Sequence, residues 1–271
     1  MVEATEKELV YIKVDLSNEK QIEEVLFQEK EGFGSGLDPQ ELPSVLRFIA
    51  TNGTIWLQYV LEDGKKNPTG VIGFIPLEKA LGYNDLYRLS SVDLSHSPLI
   101  IIMENQARVF VDARRFAKDK DIVYHHSLAT SRRGKGYGTL LLRHALNKTP
   151  HINNKIIIGL IDAANLNKEN GKLQLVPNEN SFTIHLKAGF VLAGVVDAPV
   201  CDETITFYSF VRPRNKIVWA NVGRGKEFFM NLAEGRAKKV LDDVKKYTEM
   251  GYLGISYNKE THQMHFVLSK N

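Results

Sequence analysis

Residues 131–141, SRRGKGYGTLL, set two arginines, a lysine and three glycines directly ahead of a leucine-rich run. That composition suits anion binding. Upstream, residues 122–129, IVYHHSLA, are β-rich, and downstream Leu140, Leu141, Leu142, Ala145 and Leu146 recur at the spacing of one helical face before the polar stop Asn147-Lys148-Thr149-Pro150. The spacing predicts a strand-to-helix turn, with the helix beginning near Gly136 or Tyr137. The first N–H groups of a helix have no partner within it, so such a turn offers donors to a phosphate. The other phosphate-binding pattern, G-x-x-x-x-G-K-[ST], is absent. Val222-Gly223-Arg224-Gly225-Lys226 lacks the hydroxyl residue after the lysine and reads as a structural turn.

The elements that must position this turn are legible in outline. Residues 9–14 read as a strand, and residues 19–31 carry Ile22, Val25, Leu26 and Glu29 in helical order before the breaker Gly32-Phe33-Gly34-Ser35-Gly36. Asp38-Pro39 opens a second helix through Leu42, Val45, Leu46 and Ile49. Residues 54–61 and 70–77 form a hairpin across Asp63-Gly64 and Asn67-Pro68. Residues 80–120 read as an insertion, with strand candidates at 99–103 and 109–111. The apolar run 155–161 has the profile of a strand buried on both faces. A helix over 180–187 closes at Ala188-Gly189, and strands over 190–196 and 204–211 follow. Beyond Arg212 the pattern changes to a strand at 216–221, a long helix over 226–249 interrupted at Gly235, and a hairpin over 253–268. Two domains result, residues 1–212 and an accessory unit of residues 213–271.

Bulk properties bound the functions available. The chain has 271 residues, 43% hydrophobic and 25% charged, the composition of an ordinary globular protein with a sizeable core. A net charge of +3 spread among alternating signs gives no case for a nucleic-acid partner. Cys201 is the one cysteine, which excludes a disulfide framework and a cysteine-based metal site. The charged N-terminal stretch is no signal peptide, and no apolar run approaches the ~20 residues of a membrane span. The expected setting is the cytoplasm, with no membrane partner.

Two stretches carry a family resemblance. Arg133-x-x-Gly136-x-Gly138, between a strand and a helix, resembles the acyl-CoA pyrophosphate loop of the GNAT superfamily of acetyl-CoA-dependent N-acetyltransferases. Asn178-x-x-Ser181-x-x-Ile184-His185-x-Lys187-x-Gly189-Phe190 resembles the second signature of that family, N-x-x-A-x-x-L-Y-x-K-x-G-F. The motifs stand in family order with a strand between them, over roughly residues 9–212. The resemblance implies a mixed α/β fold, GNAT-like, with a mostly antiparallel central sheet flanked by helices, to which residues 213–271 add a small β-α-β-β appendage.

What the resemblance implies for the site follows residue by residue. Acetyl-CoA is the cosubstrate, and no metal takes part. Leu128, Arg133, Gly134, Lys135, Gly136, Tyr137, Gly138 and Asn178 would bind the coenzyme: side chains at Gly136 or Gly138 would hold the backbone off the pyrophosphate, and Asn178 would bond the pantetheine arm. Backbone groups of His126 and Leu128 would pair with that arm. Alternation along the strand groups Ile122, Tyr124 and His126 on one face and Val123, His125 and Ser127 on the other. The first group contains no carboxylate, where the family often has a glutamate base. His126 or Tyr124 could take the proton, or both could simply pack between sheet and helix. His185 replaces the usual tyrosine acid, and it reads equally as acid or as a satisfied helix residue.

The expected function is transfer of an acetyl group from acetyl-CoA to a primary amine by direct attack, the amine belonging to a small molecule or a protein. Residues 32–42 and the insertion would select it. Pairing of edge strands would give a homodimer. The competing readings are a CoA-binding sensor without catalysis and an interaction protein.

Overall fold

In a computed structural model, residues 8–33, 42–81, 100–104, 107–111, 122–132, 134–166, 173–175, 179–200, 203–213, 226–233 and 235–268 are described. Arg133, Asn178, the helix start at Asp38-Pro39, most of the insertion and the strand expected at 216–221 lie outside them. In chain order the elements are β1 (Leu9–Lys13), α1 (Glu19–Phe33), α2 (Leu42–Asn52), β2 (Thr54–Glu62), β3 (Lys65–Pro76), α3 (Leu77–Leu81), β4 (Ile100–Glu104), β5 (Ala107–Val111) and β6 (Ile122–Thr130). There follow α4 (Tyr137–Lys148), β7 (Ile156–Leu166), β8 (Leu173–Leu175), α5 (Glu179–Lys187), β9 (Val191–Val200), β10 (Glu203–Arg212), β11 (Glu227–Asn231), α6 (Ala237–Met250), β12 (Tyr252–Asn258) and β13 (Gln263–Leu268). The fold is mixed α/β, with helices flanking a large, open and mostly antiparallel sheet. No described helix is long and apolar enough to cross a membrane. The described residues divide into two compact units, those within 1–76 and 124–153, and those within 77–123 and 154–271.

The first unit orders its strands β1-β2-β3-β6. β1 and β2 run antiparallel from Leu9↔Val60 to Lys13↔Trp56, and β2 and β3 from Thr54↔Phe74 to Glu62↔Lys65. The hairpin closes tightly at Asp63 and Gly64, φ 52° and 74°, the two positive values that a two-residue turn of this hand requires. Asn67-Pro68 is therefore inside β3 rather than in the loop predicted from it. The register steps from Gln58↔Gly70 to Tyr59↔Pro68, leaving Thr69 as the extra residue of a bulge, which accommodates a proline in a ladder. Thr69 is buried and its hydroxyl donates to the backbone oxygen and to Oε1 of Gln58, 3.2 Å each. Val25, Ile49, Leu57, Val60, Val71, Ile72, Leu141, Leu142 and Ala145 fill the core. Leu140 is 42% exposed, against the sequence expectation. Three consecutive residues at ~100° per step cannot share one face, and Leu140 is the one turned out.

α1 lies unusually close to β6. A Cβ on Gly32 would sit 2.4 Å from that of Ala129, and Gln28 and Glu29, one turn earlier, are buried with it. Tyr59 of β2 donates to Glu24 at 2.6 Å and fixes the earlier part of the same helix.

The second unit orders its strands β7-β10-β9-β12-β13-β11, with β8 beside β7, and β4 and β5 form a separate hairpin. β9 meets β12 at Leu192↔Gly254, where a side chain on the glycine would collide with Leu192 and Met264 at 2.9 Å. The predicted helix over 226–249 is half correct. Residues 237–250 are α6, with Ala237, Val240, Leu241, Val244 and Thr248 buried, but residues 227–231 form β11, antiparallel to β13. Phe228 stacks on Phe266 with ring centres 5.1 Å apart and meets Tyr247 and Tyr252, so cross-strand packing overrides the local helical pattern.

The contact between Gly32 and Ala129 sets a stability test. Gly32→Ala should destabilise the chain by ~1–3 kcal/mol in urea unfolding despite its better helix propensity, because neither neighbour can retreat. Ala129→Gly placed in the same chain should recover most of that loss, and simple additivity of the two changes would refute the contact.

Candidate functional site

The sequence turn is present, and its glycines are required first by backbone conformation. Gly134 and Gly136 have φ of 77° and 76°, in the left-handed region where any other residue is strained, and among the described residues beyond their chain neighbours no atom comes within 4 Å of where their side chains would project. Gly136 is the N-cap of α4 and supplies no side-chain cap. The first bond of the helical ladder runs from the Leu140 N–H to the Gly136 carbonyl at 3.2 Å, so the N–H groups of Tyr137, Gly138 and Thr139 precede that ladder. Gly134, Lys135 and Gly136 are exposed among the described residues, and Gly138 is buried in the first turn of the helix.

The neighbouring charges divide their work. Arg132 makes a two-pronged pair with Glu62 at the end of β2, 2.7 and 2.8 Å, which with the Tyr137 hydroxyl holds the guanidinium firmly protonated. Lys135 is exposed beside the two left-handed glycines. Sequence alone could not separate these cations, because Glu62 lies 70 positions away from Arg132. The stem of the turn is tied as well. Gln28, fully buried, accepts from the Ser131 N–H at 3.3 Å and donates to the Pro68 carbonyl at 3.1 Å, while Ser131 N–H also bonds Thr69 O at 3.2 Å. Gln58 donates to the Tyr137 carbonyl and the Tyr11 hydroxyl, 3.3 Å each, securing the start of α4 to β2.

β6 carries Tyr124, His126 and Leu128 of the expected site. Tyr124 is buried and His126 and Leu128 are half-buried, with the Tyr124 and His126 rings edge to face at 6.3 Å. Thr130 lies on the side where Leu141 of α4 approaches Gly70. Ser127 and Ala129 meet α1, the first at Glu29 and the second at Gly32. His125 packs on Phe74 at 5.3 Å, Ser127 donates to Glu29 at 2.5 Å, and a side chain at Gly73 would lie 3.7 Å from His126 Cβ and 3.8 Å from Ser127 Oγ, so strict alternation does not hold through His125, His126 and Ser127. Glu29 is a functional candidate that the sequence reading passed over. Its signal was an acid placed in the apolar stripe of α1, after Ile22 and Val25.

His185 lies in the second unit, whereas Tyr124, His126, Leu128 and the turn belong to the first. It is 4% exposed on α5, meeting Phe190 and Phe210 at 5.1 and 5.9 Å. Nδ1 is 2.7 Å from the Ser181 carbonyl, which can only accept, so Nδ1 carries the proton. Burial pulls the imidazole down to about 4, against the weaker opposing effect of that bond. At neutral pH it is uncharged. At the start of α5, Lys259 donates to Asn180 at 2.7 Å and His262 meets Glu179 at 2.6 Å, so the turn between β12 and β13 holds the helix end that follows position 178.

The chain matches no protein-family model and no curated protein. Among solved structures it is similar to a chain of the NatC complex bound to Gag peptide and CoA, at 14% identity and TM-score 0.45, covering 76% of this chain and 98% of that one. It is similar also to the acetyltransferase of the GNAT family from Streptococcus pneumoniae, at 14% identity and TM-score 0.41, covering 75% and 98%. A further similar structure is the diaminobutyrate acetyltransferase EctA from Paenibacillus lautus, in complex with L-2,4-diaminobutyric acid and coenzyme A, at 13% identity and TM-score 0.39, covering 80% and 99%.

Proposed function

We propose that the chain is an N-acetyltransferase that moves an acetyl group from acetyl-CoA to a primary amine by direct attack. The observation that carries this reading is the turn after β6: two exposed, left-handed glycines and a helix start with no side-chain cap, at the position of a loop motif that resembles a pyrophosphate cradle. The coenzyme pyrophosphate would accept from the first N–H groups of α4, with Arg133 and Lys135 adding charge, and Asn178 would bond the pantetheine arm. Arg132, being paired with Glu62, shapes the turn rather than meeting phosphate. The amine attacks the thioester carbon, the thiolate leaves, and no covalent enzyme intermediate is needed. His185, uncharged and donating its proton to a backbone carbonyl, supports a packing role over the acid role, which leaves solvent to reprotonate the thiolate. Residues 1–212 would form the catalytic domain. Residues 213–271 would act as an accessory that steadies the start of α5.

A second reading, a CoA-binding sensor without catalysis, draws on the same buried His185 and on the absence of a carboxylate from the sequence of β6 itself. Thiol release from acetyl-CoA across an amine library separates the two. Amine-dependent release supports the transferase, and tight CoA binding with no release supports the sensor.

Two further outcomes are expected. Gly136→Val should weaken CoA binding at least tenfold in calorimetric titration, while the left-handed position costs only ~1–2 kcal/mol of stability. CoA binding equal to that of the parent would remove the turn from the site. His185 resists protonation in the folded chain but titrates near 6.5 when unfolded, so its contribution is whole above about pH 6.5 and is lost as pH falls toward 4, by roughly 3 kcal/mol. His185→Phe should flatten that acid limb of the stability profile and retain turnover. Loss of turnover with the CoA affinity intact would return the acid role to His185.

A further inference from the structure

Two glutamines are fully buried in the first unit, Gln28 of α1 and Gln58 of β2, and both reach the ends of the turn after β6. A buried amide is costly unless its donor and its acceptor are both met, and here both are. Gln28 donates from Nε2 to the Pro68 carbonyl at 3.1 Å and accepts at Oε1 from the Ser131 N–H at 3.3 Å. Gln58 donates from Nε2 to the Tyr137 carbonyl and the Tyr11 hydroxyl, 3.3 Å each, and accepts at Oε1 from the Thr69 hydroxyl at 3.2 Å. Backbone carbonyls can only accept and the Ser131 N–H can only donate, so both amides are fixed in orientation. Leucine at either position would offer no bond, and an ionised glutamate no donor.

Thr69 joins the two glutamines. It is the extra residue of the β3 bulge, its backbone carbonyl accepts from the Ser131 N–H at 3.2 Å, and its buried hydroxyl donates to Gln58. The bulge thus supplies a carbonyl and a hydroxyl from one residue, which the interrupted ladder does not consume. A continuous hydrogen-bonded path runs from Ser131, just past the end of β6, through Thr69 and Gln58 to Tyr137, the first residue of α4. Those are the two ends of the turn that carries the left-handed Gly134 and Gly136. Tyr137 gives this path its carbonyl, so the first N–H groups of α4 are not spent on it.

We infer that Gln28, Thr69 and Gln58 are positioning residues for the coenzyme, and that they act on its pyrophosphate by holding the turn in its binding shape before the ligand arrives. The inference rests on the acetyl-CoA reading above. Glycines lose more backbone freedom on ordering than other residues, and a turn already tied at both ends has less to lose when it binds. Untying either end returns that cost to the binding step, so a second cut adds less than the first. Being fully buried, the amides act through the backbone of the turn rather than by contact with the coenzyme. Their effect falls on affinity for its phosphate-bearing part and leaves the acyl-transfer step alone.

The test measures the affinities of CoA, ADP and pantetheine for the full chain and for Gln28→Leu, Gln58→Leu, the double variant and Thr69→Val, with kcat at saturating acetyl-CoA on an amine from the library screen. ADP carries the pyrophosphate without the arm, and pantetheine the arm without the pyrophosphate. Each single variant should weaken CoA and ADP by about tenfold, the scale of one lost hydrogen bond, while pantetheine affinity and kcat stay within about twofold. The double variant should lose less than the product of the two single losses. Thr69→Ser, which keeps the hydroxyl, should restore the affinity that Thr69→Val loses, and this pair decides the matter should a glutamine variant not fold. A purely structural network would instead weaken all three probes alike as the melting temperature falls, and that result overturns the positioning role. Parental affinity for CoA and ADP in the variants, or single losses that multiply in full, overturns it too. Failure of the unmodified chain to bind CoA overturns the acetyl-CoA reading and the inference with it, whereas the expected ADP losses in a chain that binds CoA but releases no thiol support the positioning role and overturn the transferase reading alone.

Discussion

The close approach of α1 to the end of β6 is the constraint on which the rest of the first unit depends. Only glycine at position 32 lets the helix meet Ala129 at this distance, and that distance brings the side chains of Gln28 and Glu29 to the strand and its turn. With the helix further out, the Ser131 N–H would lose the glutamine and a buried carboxylate would lose the serine. One missing side chain therefore supports two buried polar contacts, each costly to leave unmade.

From that contact the open turn gains its rigidity. Gly134 and Gly136 are free of side-chain constraint, and a loop of such residues loses much entropy when it is ordered on a ligand. Its stem is held by Gln28 and Thr69, its first arginine by Glu62, and the helix it opens by Gln58. These bonds come from β2, β3 and α1. They hold the start of α4 in place while its first N–H groups stay outside the helical ladder, which is the arrangement that preorganised anion binding requires.

The second unit applies burial in a different way. His185 and Phe182 are the buried residues of α5, and the aromatic rings of Phe190, Phe210, Tyr208 and Tyr257 surround them. A histidine enclosed by rings is held neutral by desolvation, which makes it a polar member of a core. Where the resembled motif has tyrosine, this chain has a smaller ring that satisfies itself on its own helix at Ser181.

The sequence by itself determined what is local. The glycines before α4, the Asp63-Gly64 turn, the apolar run of β7 and the end of α5 at Gly189 each follow from backbone conformation or periodicity within a few residues, and each is found where those rules put it. Tertiary structure decided what is distant. Glu29 meets Ser127 across 98 positions and Arg132 meets Glu62 across 70, and no local rule selects one carboxylate of the chain over another. Residues 227–231 became β11 because the rings on β12, β13 and α6 were there to receive Phe228. A side chain's chemistry is written in the sequence, but its partner is chosen by the packing of elements far apart along the chain.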